Sequence, residues 1–453
     1  MIYHCSVLAD YLTPVSAFLR VAASSERAFL LESVEGGEKV GRYSFIGVDP
    51  IDSYEGSFEG FRGFFPEIDA PHPELPPFSG GAVGVFSYEM VRELEKLPNL
   101  IPSEPVMPAV QMDLFTTVLA FDHVKHQIII MSREGPEKVE AIEDRLEQVS
   151  PQETHLLRRY DSTGNSQHRL DHEKASLSVP SCNFESDAFH EVVERAKEYI
   201  RAGDIFQVVL SQSYEVDFSA DPFSVYRALR YINPSPYMFF LKRGEDSIAG
   251  ASPEMLVRVQ GRDLDYRPIA GTRRRGRSKL EEQKLEEELL ADEKEKAEHL
   301  MLVDLGRNDL GRVSEYGKVW VDRFMLLEKY SHVMHLVSAL KGQLRSELDR
   351  FDALAACFPA GTVTGAPKIR AMEIIEELEP TRRGVYAGSI GYVDYSGNLD
   401  TCITIRTIHM KNGKARFQAG AGIVADSIPE REDLECRNKA RVLIKALELA
   451  EKL

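Results

Sequence analysis

An α+β fold built on antiparallel sheets is what this 453-residue sequence predicts, on three observations. Strand-like and helix-like segments come in blocks and not in strict βα alternation, which disfavours a parallel, doubly wound sheet. Residues 1 to about 135 alternate short apolar runs with turn signals, as in Phe29-Leu30-Leu31-Glu32-Ser33 and Gln127-Ile128-Ile129-Ile130-Met131, the pattern of half-buried strands. Long segments of helical period lie beyond residue 180.

Along the chain, the Pro-rich passage from Pro66 to Pro77 followed by Gly80-Gly81-Ala82-Val83-Gly84 predicts a loop entering a strand. From about 150 to 182 the sequence turns polar and aperiodic, so we expect an N-terminal region at 1–150, a linker or excursion at 151–182 and a second region at 183–453. Residues 184–202 place Phe189, Val192, Val193, Ala196, Tyr199 and Ile200 at helix spacing and end at Gly203. Strands are predicted at 205–216, 237–241, 247–259 and 263–270, then one long acidic helix at 280–310 and another at 366–378 with Pro367 in its first turn. Strands at 387–394 and 401–409 precede a Gly-rich turn at 420–422. A last helix at 428–451 is capped by Ser427 and Glu430 and carries Leu434, Val442, Leu443, Ala446 and Leu447 as its apolar face.

A charged fraction of 28% and a hydrophobic fraction of 43% describe a globular protein with enough chain for a sizeable core. The net charge of -17 argues against nucleic acid or an anionic membrane as a partner, so an anionic ligand must be met by placed Arg, Lys or backbone N–H groups. Five scattered cysteines without a C-x-x-C suggest neither a disulfide framework nor a zinc site, and no apolar run is long enough to span a bilayer. A cytoplasmic location is expected.

Glu295-Lys296-Ala297-Glu298 and Glu432-Asp433-Leu434-Glu435 repeat one spacing inside two predicted helices. Carboxylates three residues apart share a helix face. If the helices meet across a cleft, four acidic side chains converge, which suits a hard cation or a proton-transfer site. Mg²⁺ is the natural occupant, because it takes oxygen ligands and needs only one or two protein carboxylates beside water and an anionic substrate. Plainer readings stand beside this one: Asp292 with Glu295 is a capping box, and Glu435 with Lys439 an i,i+4 surface pair. Pro359-Ala360-Gly361-Thr362-Val363-Thr364-Gly365-Ala366-Pro367-Lys368 reads as a glycine-bearing loop at a helix start, where orphan N–H groups favour an anion, or else as a capped turn with no ligand. Gln418-Ala419-Gly420-Ala421-Gly422 allows close backbone approach to a ligand.

Several blocks together resemble the chorismate-utilising enzymes: Pro268-Ile269-Ala270-Gly271-Thr272-Arg273, Glu298 to Asp309, the Pro359 to Lys368 loop, Asp400 to Arg406, and Arg437-Asn438-Lys439-Ala440. The resemblance is dense over 184–453 and extends to Leu30-Leu31-Glu32-Ser33 and Gly80–Tyr88. It implies a large sandwich of antiparallel sheets with outer helices. It also implies that Glu298 and Glu435 hold Mg²⁺ directly, with Glu295 and Glu432 acting through water. Chorismate would be bound by Gln207, Ala270, Gly271, Thr272, Tyr392, Arg406, Lys439 and the Gly420-Ala421-Gly422 backbone, with Thr362 near the ring. Glu254 would be the acid that assists departure of the 4-hydroxyl, a poor leaving group without a proton donor, and His335 the catalytic histidine. Each has a bland counterpart, a strand-end charge for Arg406 and a buried structural histidine for His335.

Two departures from the family pattern narrow the expected reaction. Gln207 stands where water-adding members carry a lysine base, and Ala270 where 4-aminating members carry a nucleophilic lysine. What remains is attack of ammonia at C2 and loss of pyruvate, giving anthranilate. With no Gly-x-Cys-x-Gly turn, ammonia is expected from a separate glutamine amidotransferase subunit, in a heterotetramer of two large and two small subunits. Glu32 and Ser33, with Pro236, Tyr237 and Met238, resemble the two walls of a tryptophan effector site, although a strand end packing on a Pro-rich turn reads equally well from the residues alone. Release of aminodeoxyisochorismate, or a silent tryptophan-binding homologue, are the alternative outcomes.

Overall fold

The computed structural model describes residues 1–33, 41–66, 72–149, 177–329 and 333–453, and of Thr272 the backbone only. Its described strands form two antiparallel sheets, of twelve and ten strands. Period-two alternation explains how they stack. In strand Arg27–Glu32, Phe29 points into a cluster shared with Phe45, Val83, Phe115, Phe239, Ile390 and Tyr392, which come from both sheets, while Ala28 and Leu30 point to the outer helices. The result is the expected sandwich with helices outside.

Both sheets join early and late parts of the chain. Strand Arg27–Glu32 pairs with Tyr237–Arg243, setting Glu32 opposite Met238, and strand Gly81–Phe86 pairs with Ser389–Asp394. The boundary expected at residue 150 and most of the 151–182 linker fall outside the described residues; of the remainder, Ser181–Cys182 pairs with Tyr214 and Glu215.

Several expected elements are corrected. The acidic segment is two helices, Lys279–Ala291 and Glu293–Gly311, because Asp292 leaves helical backbone and accepts from Lys294 and Glu295 N–H as the cap of the second. Gly420 to Gly422 form no turn; they lie in strand Lys414–Ile423, opposite Ser211, Leu210 and Val209. The 247–259 strand breaks at Pro253–Glu254 and the 401–409 strand at Thr404–Arg406, where Arg406 takes a positive φ of 51°. Pro367 is the residue before helix Lys368–Leu378. In the last helix, Pro429–Ala450, no side chain caps the start, Ser427 Oγ instead accepts from Val424 N–H, and Leu434 is exposed. Strands Ser314–Lys329 and Val333–Leu344 were not anticipated.

Candidate active site

Helices Glu293–Gly311 and Pro429–Ala450 bring Glu298 of one pair and Glu435 of the other within reach of each other's charge. Burial, then Glu295 and Glu435, raise the Glu298 pKa, while burial and Glu435 raise that of Glu432 against the lowering Ser427 hydroxyl. Glu298 and Glu435 therefore repel across the cleft, the electrostatic setting that a divalent cation relieves. Nearby bases compensate in part: Arg273 binds Glu295 and Asp292 at 2.9 Å each, and Lys439 binds Glu435 at 2.7 Å. No three His, Cys, Asp or Glu side chains already converge as a cage among the described residues. The donors fit Mg²⁺, which asks for one or two carboxylates, and do not resemble a closed structural site.

Gly271 and Lys439 border this acidic edge directly, and further expected residues connect to them. Gly271 sits at a bulge between Ala270 and Thr272 with φ +61°, so a side chain there would be strained and would stand 3.1 Å from Glu295 Oε2. Its carbonyl accepts from His335 Nδ1 at 3.1 Å. Burial foremost, with Arg406 nearby, lowers the His335 pKa, so the ring is neutral at pH 7, with Nε2 as the lone-pair nitrogen. Thr272 lies opposite His335 and Ala270 opposite Leu336 in the same pairing. Arg406 donates to Asn233 Oδ1 at 3.4 Å, and burial alone depresses its pKa: no carboxylate among the described residues compensates this guanidinium, so it could meet an anion.

Lys439 Nζ also donates to Gly420 O at 2.8 Å, tying the last helix to the Gly-rich strand. Gly420 and Gly422 share one strand face, and a Cβ on them would meet Tyr386 Oη at 2.6 Å and Gln207 Nε2 at 2.5 Å. Ala421 points to the opposite face, into a core with Phe189 and Leu210, so only its backbone is on this side. Glu254, in the break between two strands, is buried, which pushes its carboxyl up to about 8 against the lowering influence of the Thr362 hydroxyl and Ile269 N–H. Thr362 Oγ1 is buried and makes no hydrogen bond of good geometry. Lys368 is not aimed at a ligand: it pairs with buried Asp309 at 2.8 Å.

Tyr392 is misplaced in the sequence-based set. It lies between Phe45 and Phe78, on the wall of a cavity of about 690 Å³ that also holds Glu32, Ser33, Pro236, Tyr237 and Met238. The tyrosine beside Gly420 is Tyr386, which no sequence motif singled out; it is followed by Ala387 at φ 62°. All five expected effector residues thus line one cavity, but the Glu32 carboxylate is engaged by Tyr226 and by Arg230 at 3.1 Å, so it holds the pocket wall instead of facing a ligand's ammonium.

A profile described as chorismate binding enzyme matches residues 28–445. Anthranilate synthase component 1 of Acetivibrio thermocellus is 49% identical, over 98% of this chain and 94% of that one. That of Thermus thermophilus is 46% identical over 99% and 98%. The solved structure of anthranilate synthase component I from Streptococcus pneumoniae superposes with a TM-score of 0.77 at 36% identity, covering 97% of this chain and 99% of that one. The Escherichia coli isochorismate synthase MenF, at 20% identity and a TM-score of 0.73, covering 99% and 95%, shares the fold.

Proposed function

This chain is an enzyme of the chorismate-binding family, and from that membership we propose that it is the large subunit of an anthranilate synthase. It converts chorismate and ammonia to anthranilate, pyruvate and water, in the cytoplasm, as a step of tryptophan biosynthesis. The observation that carries the reading is Glu254: a buried carboxyl protonated up to about pH 8, beside Thr362, can give its proton to a departing hydroxyl. Arg406, Lys439 and the Gly420-Ala421-Gly422 backbone receive the carboxylates of the substrate, and neutral His335 stands near Arg406. Gln207 and Ala270 offer no base to activate water and no amine to attack the ring, so neutral ammonia is the nucleophile at C2. Mg²⁺ bound by Glu298 and Glu435, with Glu295 and Glu432 supporting, would neutralise the ring carboxylate and stabilise charge that develops during displacement. Incubation of the purified protein with chorismate, Mg²⁺ and ammonium tests this directly. Anthranilate is the expected product; one that keeps the enolpyruvyl group would make the enzyme an aminodeoxyisochorismate synthase, and no product would sink the reading.

Nitrogen supply gives a second expected result. The chain alone uses ammonium at alkaline pH but not glutamine, and an added glutamine amidotransferase subunit restores glutamine use in a heterotetramer of two large and two small subunits. Glutamine-dependent product from the chain alone would refute the division of labour.

The 690 Å³ cavity is proposed as the site of feedback inhibition by tryptophan, whose indole suits the apolar surface of Met238, Phe239, Ile390 and Tyr392. Because its walls come from strands far apart in sequence, a ligand there biases how they sit together, and couplings of this kind run to about 1–3 kcal/mol, or roughly 5–150-fold in affinity. Calorimetry and inhibition curves on the parent and Ser33→Leu are the check: the parent binds tryptophan and is inhibited, and the variant loses both. Equal sensitivity in the variant would place the site elsewhere.

A further inference from the structure

The walls of the active site converge on a buried ion pair that the chemistry above does not use. Arg383 and Glu379 have side chains that are each only 1% exposed, bound to one another at 2.6 Å. Every further bond of the pair goes to backbone or hydroxyl groups behind those walls. Arg383 donates to Val363 O at 2.7 Å, the neighbour of Thr362, and to Val209 O at 2.8 Å, the residue opposite Gly422. Glu379 Oε1 accepts from Ser211 N–H at 2.9 Å and Ser211 Oγ at 2.6 Å, and Ser211 lies opposite Gly420. The guanidinium also stands 5.5 Å from the ring of Tyr386, whose hydroxyl borders Gly420.

We infer that Arg383 and Glu379 are positioning residues that set the spacing between the Thr362 loop, the Gly420–Gly422 strand and Tyr386, and so fix the shape of the chorismate pocket. Desolvating two charges is costly, and a pair of apolar side chains would fill the same space at less cost. What an apolar pair lacks is direction: the planar fork of arginine addresses two carbonyls and a carboxylate at fixed angles, and joins three chain segments that no single strand pairing connects. Lysine keeps the charge for Glu379 but cannot span both carbonyls.

The role rests on the chorismate reading, and its test separates the two. The walls hold substrate before and during reaction, so loosening them weakens uniform binding and raises KM more than it lowers kcat. Arg383→Lys is expected to raise the KM for chorismate at least tenfold with kcat reduced less than threefold, and Ser211→Ala, which removes the hydroxyl's bonds to Glu379 and from Gln418 Nε2 behind Gly420 and leaves the charges intact, to raise KM about threefold. The Mg²⁺ concentration giving half-maximal activity stays the same in both. A purely structural role would give a smaller folded fraction, hence lower apparent kcat at unchanged KM. Calorimetric binding of chorismate without ammonium reads the pocket independently of turnover. Equal chorismate affinity in the parent and Arg383→Lys, or in the parent and Ser211→Ala should the first variant not fold, would overturn the inference, whereas a parent that binds chorismate without converting it would overturn the proposed reaction.

Discussion

Glu298→Gln or Glu435→Gln abolishes Mg²⁺-supported turnover, by at least a hundredfold, while leaving the protein folded. Each substitution removes a carboxylate from the place where the two helices set Glu298 against Glu435, and neither removes packing: Glu435 is half exposed and Glu298 a third. The folded state raises the Glu298 pKa, so ionising this group at neutral pH opposes folding. Stability from this group is present below the ordinary glutamate range and is lost as pH rises through the raised value. Glu298→Gln should therefore melt at the same temperature as the parent or higher at pH 7, with the difference vanishing in acid. Near-normal turnover of both variants at ordinary Mg²⁺ would remove the cation from this site.

Loss of the proton donor should be nearly as severe. Glu254→Gln is expected to lower turnover by about 10²–10⁴-fold, the usual worth of a positioned general acid, with little change in chorismate binding. In the parent, rates compared at constant free ammonia should fall as pH rises past about 8, where the buried carboxyl gives up its proton, and the variant should lack that limb. The same group fixes the sign of a stability trend. Its pKa is about 4.5 unfolded and about 8 folded, so the parent loses stability as pH climbs through that interval, and Glu254→Gln flattens the loss. A variant with unaltered rate, or a parent with no alkaline limb near 8, would disqualify Glu254 as the acid.

Legibility in the sequence followed the range of the interactions. The helix ending at Gly203 was readable because a glycine with φ +84° in the position after a helix is a local event. The long acidic helix was half readable. The capping reading of Asp292 with Glu295 already marked a helix start there, and the Asp292 side chain does cap the second helix; what the acidic composition hid was that the first helix stops just before it, a break supported by Arg273 reaching Asp292 from a strand. Gly420-Ala421-Gly422 shows the opposite case, where glycine was taken for a turn. Its glycines serve a close approach by Tyr386 and Gln207, two side chains remote in sequence.

Residue identities and spacings alone were enough for the α+β antiparallel class and the paired glutamates, because each rests on local periodicity; Glu254 as a candidate acid and the two segments that wall the large cavity came from motifs contiguous in the chain that resemble the family's. Which tyrosine borders the Gly-rich strand, that the Glu32 carboxylate is spent on Tyr226 and Arg230, and that Arg383 and Glu379 stand behind three walls at once were decided only in the folded chain. Those facts depend on burial and on pairing across some 20 to 200 residues of sequence, which a local period cannot encode: a carboxylate has the same sequence signature whether water, a metal ion or a buried arginine satisfies it.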